Sequence, residues 1–297
     1  MKKIKFIALL LVAVMIIPFA LSGCNGDTDE TSSTASTSSN AQSEDESTAS
    51  EAESTVSDVS EESTVEITVP TTIKDAGKII MATSADFPPY EYKEGEVFVG
   101  IDVEIMQAVA DLWEVELEIT DMKFDSIITS VQTGKADVGM AGMTITEERL
   151  ENVNFTFTYA NATQVIIVKE DSDITDVVSL AGKKVGVQLG TTGDIYASGD
   201  ESIASVSQYN TGLEAVLALT QDKIDAVIID NEPAKVFVEK NEGLKIIDEK
   251  YTEEQYAIAI AKDNAELVDA INAALTLLDE NGTLQAIIDK YIPAETD

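Results

Sequence analysis

Three patterns of apolar and polar positions follow one another along the chain. An apolar run preceded by lysines covers Phe6 to about Ala20, and Asn25 to about Thr72 offers almost nothing to bury. From residue 77 onward apolar residues recur at the spacings of regular elements. There "GKIIMATSA" (77–85) reads as a short buried strand, "IDVEIMQAVADLW" (101–113) as an amphipathic helix and "VELEIT" (115–120) as an alternating strand. "FDSIITSVQTGK" (124–135) predicts a helix leading into the strand "ADVGMAG" (136–142). Farther on, "KKVGVQLG", "DAVIID" and "LKIID" read as strands and "TGLEAVLALTQDK" as a helix. The stretch 265–292 reads as two helices separated by Asn281-Gly282. Helices alternating with apolar strands predict α/β layers with largely parallel sheets.

Two of these stretches resemble each other. "FDSIITSVQTGKADVGMAGM" and "LEAVLALTQDKIDAVIIDN" both run helix, Lys-x-Asp, apolar strand, polar turn. If each belongs to its own lobe, their strand ends are equivalent, and open α/β sheets bind ligands beyond the carboxyl ends of strands. One such end delivers Gly142, Thr144 and Arg149 and the other Asp230. A cation on one lobe and an anion on the other suit a zwitterion.

Composition narrows the function. With 19 Lys+Arg against 55 Asp+Glu the formal net charge is −36, which repels nucleic acid and anionic lipid. The sequence has no histidine and one cysteine, which excludes His-based catalysis, the usual zinc sites and an internal disulfide. No cofactor or metal is implied. Residues 1–23 have the charged start, short apolar core and small residues of an export signal. Leu21-Ser22-Gly23-Cys24 resembles the lipobox of bacterial lipoproteins, which implies a lipid on Cys24. The Ser/Thr-rich acidic segment that follows, to residue 72, is expected to be a disordered, self-repelling tether.

Arg149 raises a question of its own. Thr146 suits a helix N-cap and Glu147 and Glu148 suit its positive end, but an arginine in the first turn opposes the helix dipole. Either the glutamates neutralise it or it receives an anion, which a guanidinium grips through two parallel hydrogen bonds. Thr144 adds a hydroxyl, and Thr191, Thr192 and Gly193 open a helix whose free N–H groups favour anions. Asp230 either accepts from an ammonium or caps the helix that follows it, with Pro233 just inside.

In combination, "ATSADFPPYEY", "GIDVEI", "AGMTITEER", "VGVQLGTT", "IDAVIIDNEPA", "YAIAIAKDNAEL" and "LDENGTLQAIIDKY" resemble the extracellular solute-binding proteins of polar amino-acid ABC importers. The likeness covers about residues 74–292. It implies an α/β, two-lobed type 2 periplasmic-binding-protein fold with two hinge crossovers and a ligand cleft between the lobes. The crossovers are expected near 164–172 and 253–262. Lobe 1 would comprise 73–168 and 258–297, and lobe 2 would comprise 169–257.

The resemblance also implies residue roles. Arg149 would bind the ligand α-carboxylate with help from Thr144 and the backbone at Thr192, beside Thr191. Asp230 and the Gly142 backbone would take the α-ammonium. Phe87 and Phe124 would form aromatic walls, and Met143 is counted with the wall. Ser84 stands where relatives often carry an aspartate, and Gln188 where some carry lysine. With no evident fixed charge in the side-chain pocket, a neutral polar amino acid is expected, unless Glu91 reaches the pocket and restores a basic ligand.

The expected protein is therefore a lipid-anchored monomer, not an enzyme, on the outer face of the cell membrane. Its expected partners are a free amino acid and the permease subunits of an ABC importer. Two other readings remain open at this point. They are an amino-acid-binding sensor or adhesin and a dehydratase on the same fold.

Overall fold

The computed structural model describes residues 68–293, so the export signal, Cys24 and nearly all of the acidic segment lie outside it. The folded part begins slightly earlier than expected. α1 (Thr71–Ala76) already buries Ile73 and stops at Gly77, which takes the left-handed conformation at φ 67°.

The first half then runs β1 (Lys78–Thr83), β2 (Asp86–Phe87), β3 (Glu91–Glu94), β4 (Val97–Val99), α2 (Ile101–Leu112) and β5 (Glu116–Asp121). A 3-10 turn (Phe124–Ser126), α3 (Ile127–Gln132), β6 (Val138–Gly139), α4 (Glu147–Asn152) and β7 (Val153–Phe155) complete it. The second half holds β8 (Ala160–Lys169), β9 (Lys184–Gln188), α5 (Thr192–Gly199), β10 (Ser205–Tyr209) and α6 (Gly212–Thr220). β11 (Ala226–Asp230), α7 (Asn231–Lys240), β12 (Leu244–Ile246) and β13 (Thr252–Tyr256) follow. The chain ends with β14 (Ala259–Ala261), α8 (Ala265–Glu280) and α9 (Thr283–Tyr291).

Two main sheets repeat one plan. The first has the order β5-β1-β6-β14-β7 and the second β10-β9-β11-β8-β12, with β13 also on β8. In each, three parallel strands are flanked by an antiparallel one, β14 or β8. The sheets are therefore mixed, not largely parallel, because the strand that each crossover leads into, β8 or β14, enters its sheet against the others.

The repeat seen in sequence has a physical counterpart. The Lys-x-Asp acids, Asp137 and Asp225, sit just before β6 and β11. Their carboxylates accept from the backbone N–H of Ile80 (2.7 Å) and Lys184 (2.8 Å) on the neighbouring strands. Each acid's own N–H donates to the carbonyl of that same residue. The residues three positions earlier, Gly134 and Asp222, both turn at positive φ, 67° and 58°.

The first crossing precedes the expected 164–172. The chain leaves the first sheet after Phe155 and is in the second by Ala160, because β8 is held along its length by β13, β11 and β12. A boundary at residue 168 would cut that strand. The return runs from Tyr256 to Ala259, and the crossings pair with each other through Thr156 N–H to Ile258 O and Tyr159 N–H to Tyr256 O.

Apolar packing fixes each sheet. Ile101, Ile105 and Met106 of α2 and Leu267 and Ile271 of α8 share a core with Ile79 and Met81 of β1. Beneath the second sheet Ile166, Val185, Val187, Ala226 and Ile228 form another. Burying such a side chain contributes about 1.5–3 kcal/mol, which holds the polar strand ends in place above.

Candidate functional site

Ser84, Gly142, Gln188 and Asp230 stand at or just past the carboxyl ends of the parallel strands β1, β6, β9 and β11. All four line one narrow cavity, with Phe87, Glu91, Phe124, Ala141, Thr144, Arg149, Thr191 and Thr192. Two sheets built to the same plan thus turn the same ends toward one cleft.

α4 positions Arg149. Thr146 caps the helix, its hydroxyl accepting from Arg149 N–H at 3.1 Å, as expected. The guanidinium, 6 % exposed, does not pair with Glu147 or Glu148. It donates to Thr144 O (2.6 Å) in one lobe and Gly190 O (3.0 Å) in the other, and lies over the Phe124 ring at 5.3 Å. Burial lowers its pKa from the ordinary value, opposed by the charges of Glu254 and Asp230.

Asp230 does not cap α7; it makes no capping hydrogen bond there. Instead its Oδ1 accepts from the Tyr256 hydroxyl of the return crossover. Burial pushes its carboxyl up to about 7, partly offset by that hydrogen bond.

The remaining wall residues fall into place individually. Gly142 has φ 53°, and a Cβ there would stand 2.9 Å from Phe87 Cε1, so only glycine lets the aromatic wall close. Phe87 stacks on Tyr90 with centroids 6.0 Å apart. Ser84 Oγ donates to Asp86 at 3.3 Å, and Gln188 Nε2 to Asn210 O at 3.3 Å. Thr191 is the α5 N-cap, accepting from Asp194 N–H. Met143 does not line this cavity; its side chain is fully buried in the core with Ile127, Val131 and Val153.

Two acids change the expected chemistry. Glu254 on β13 accepts at one oxygen, Oε2, from Thr144 Oγ1 (2.7 Å), Thr192 Oγ1 (2.9 Å) and Gln164 Nε2 (3.3 Å). Nothing marked it in the sequence beyond an acid inside the strand-like "EEQYAIAIAK". Glu91 does reach the cavity wall, fully buried, with neither carboxylate oxygen hydrogen-bonded. The premise behind a neutral ligand, a side-chain pocket without fixed charge, therefore fails. Burial and the neighbouring Asp102 raise the Glu91 carboxyl well above its ordinary value. Asp102, on α2, accepts from Gly142 N–H (2.8 Å) and the Tyr159 hydroxyl (2.9 Å).

The wall thus carries one buried cation, Arg149, against the acids Glu91 and Asp230, with Asp102 and Glu254 behind them. A free carboxylate fits the guanidinium, a free ammonium fits Asp230, and one negative site remains.

Known proteins share this arrangement of elements. The chain is 38 % identical over 223 residues to the arginine-binding extracellular protein ArtP of Bacillus subtilis (strain 168), covering 73 % of this chain and 87 % of that one. It superposes with a TM-score of 0.70 and 35 % identity on the amino-acid ABC transporter substrate-binding protein AbpA of Streptococcus pneumoniae bound to L-arginine, covering 74 % and 96 % of the two chains. An ancestral arginine-binding protein bound to glutamine gives a TM-score of 0.70 at 39 % identity, covering 72 % and 97 %. Residues 79–294 match the family model of the bacterial extracellular solute-binding proteins, family 3. On that match, and on the two-lobed type 2 periplasmic-binding-protein architecture, the chain belongs to this family, whose members bind solutes and are not enzymes.

Proposed function

We propose that the protein is the substrate-binding component of an ABC importer and captures a free basic amino acid, arginine above all, between its lobes. The observation that carries the basic preference is Glu91, buried on the cavity wall with no donor residue on either oxygen and another acid, Asp102, as its neighbour. A buried acid without a partner is costly, and a cationic side chain supplies the partner. Arg149 then takes the ligand α-carboxylate with the backbone N–H groups that open α5, and Asp230 takes the α-ammonium. Phe87 and Phe124 cover the aliphatic part.

The arginine-binding relatives support this reading over a neutral ligand. A ligand bonded to both lobes favours the closed arrangement by its differential affinity, and permease subunits would recognise that closed shape. Calorimetry with the twenty amino acids tests it. Arginine and lysine should bind most tightly, and preferential binding of an acidic or apolar amino acid would refute it.

Glutamine is the specific second reading, because an ancestral arginine-binding protein has been solved bound to it. The same calorimetric series separates the two.

The lipobox-like tetrapeptide supports a lipid on Cys24, which would hold the protein on the outer face of the cell membrane, or on the periplasmic side where there are two membranes. Cys24→Ser should release it from the membrane fraction. Retention of the variant on the membrane would refute the anchor.

A further inference from the structure

Glu91 and Asp102, at the inner end of the cavity wall, are two buried acids whose hydrogen bonding does not close. Glu91 leaves both carboxylate oxygens without a donor, and Asp102 leaves Oδ1 without one. Both residues are fully buried, and their backbones are adjacent: Asp102 N–H donates at 2.9 Å to the carbonyl of Tyr90, the residue before Glu91. Two ionised carboxylates are acceptors only, so their approach requires a proton between them. The other charges that bear on Glu91 are acidic. Asp86 faces it from β2 and Asp230 from β11, and the hydroxyls of Tyr90 and Tyr159 lie nearby. The cation of the wall, Arg149, is held on the carbonyls of Thr144 and Gly190.

We propose that Glu91 and Asp102 form a proton-holding carboxyl pair that a cationic ligand side chain discharges, so that capture of a basic amino acid releases a proton to solvent. This rests on the reading of Glu91 as the partner of the ligand side chain. Both acids belong to lobe 1, on β3 and α2, so the pair exists whichever way the lobes stand. The O–H bond of the shared proton breaks, the proton passes to a water or buffer base, and the ligand cation takes over its charge. The raised Glu91 carboxyl agrees with this order, since it keeps its proton in the absence of a cation. Asp102 passes the change onward, because its other oxygen holds Gly142 N–H on the wall and the Tyr159 hydroxyl on the outgoing crossover. A protonated Glu91 also accepts a neutral side chain. Discrimination between cationic and neutral ligands should therefore depend on pH.

The test compares arginine with citrulline, its uncharged isostere, on the intact protein. Calorimetry in buffers of different ionisation enthalpy counts released protons, with citrulline measured by displacement. Asp230 faces the α-ammonium of both ligands, so its contribution cancels in the difference. Arginine should release about one proton more than citrulline, and the arginine-to-citrulline affinity ratio should rise about tenfold per pH unit while Glu91 remains protonated. In Asp102→Asn, Glu91 loses its acidic neighbour, so the rise in that ratio should move to lower pH. Glu91→Gln should abolish the rise.

Equal proton release by both ligands, or a pH-independent ratio, would overturn the proposal while leaving arginine capture intact. Failure of citrulline to bind even at the acid end of the range would overturn it too. Absence of arginine binding would remove the proposal and the reading beneath it together.

Discussion

Thr144 Oγ1 donates to Glu254 Oε2 at 2.7 Å, joining the first lobe to the strand that leads back into it. Thr192 of the second lobe donates to the same oxygen at 2.9 Å. A hydroxyl has one hydrogen to give, so these two threonines are committed to Glu254. In the proposed function the ligand carboxylate would then fall to Arg149 and the N–H groups of α5, while Glu254 joins the two lobes at the crossover.

Glu254→Ala should therefore lower stability as well as affinity. It strands three buried donors, each worth about 1–3 kcal/mol when unpaired, although hydroxyls can turn to other acceptors. Thermal unfolding without ligand measures this, and an unchanged melting temperature would contradict the role.

Arg149→Ala should abolish amino-acid binding in a folded protein. Losing one partner of a desolvated charge pair costs about 2–5 kcal/mol. Arg149→Lys should also bind weakly, because an ammonium cannot match the fork that reaches both Thr144 O and Gly190 O. Calorimetry measures the loss and circular dichroism checks the fold.

Gly142→Ala should weaken both stability and binding. Its φ of 53° costs an L-residue about 1–2 kcal/mol, and the added Cβ meets Phe87 at 2.9 Å, displacing the cavity wall. Urea unfolding and ligand titration should move together. A variant with wild-type stability and affinity would show that the wall yields freely.

Asp230 gives the ligand-free protein an unusual pH dependence. Its carboxyl is raised to about 7 in the fold against an ordinary value of 3.8. Between these values the folded state holds a proton that the unfolded state has lost, so stability falls as pH rises through the window and is lowest above it. Asp86 and Asp102, each raised to about 6 by burial, act in the same direction. Asp230→Asn should flatten the slope of unfolding free energy against pH between about 4 and 7. An unchanged slope would mean that Asp230 is ionised throughout.

The alternation of helices and strands, the two-lobe repeat and nearly every wall residue were legible in the chain, because each is encoded locally. Apolar spacing sets the elements, and the Lys-x-Asp sequences before β6 and β11 carry the same backbone hydrogen bonds. Arg149 and Asp230 follow from their places at a helix start and a strand end, whereas Phe87, Phe124, Ser84 and Gln188 came from the resemblance of the motifs that hold them. Met143 was misplaced for the same reason. It neighbours Gly142 in sequence, but successive side chains on an extended segment point to opposite faces, and its face is the core.

Contacts between residues distant in sequence decided the rest. Glu254 meets Thr144 across 110 positions and Thr192 across 62. No local pattern announces an acid whose partners arrive from both lobes. Glu91 was noticed, but whether its side chain met water or the cleft depended on how β3 packs against α2. The sequence alone determined that Arg149 and Asp230 stand beyond equivalent strand ends, one cation and one anion on a common cleft, since the repeat fixes those positions. Tertiary structure decided that the wall has a negative charge to spare, because burial, which turns a carboxylate from a solvated surface group into a demand for a cation, is a property of the assembled fold.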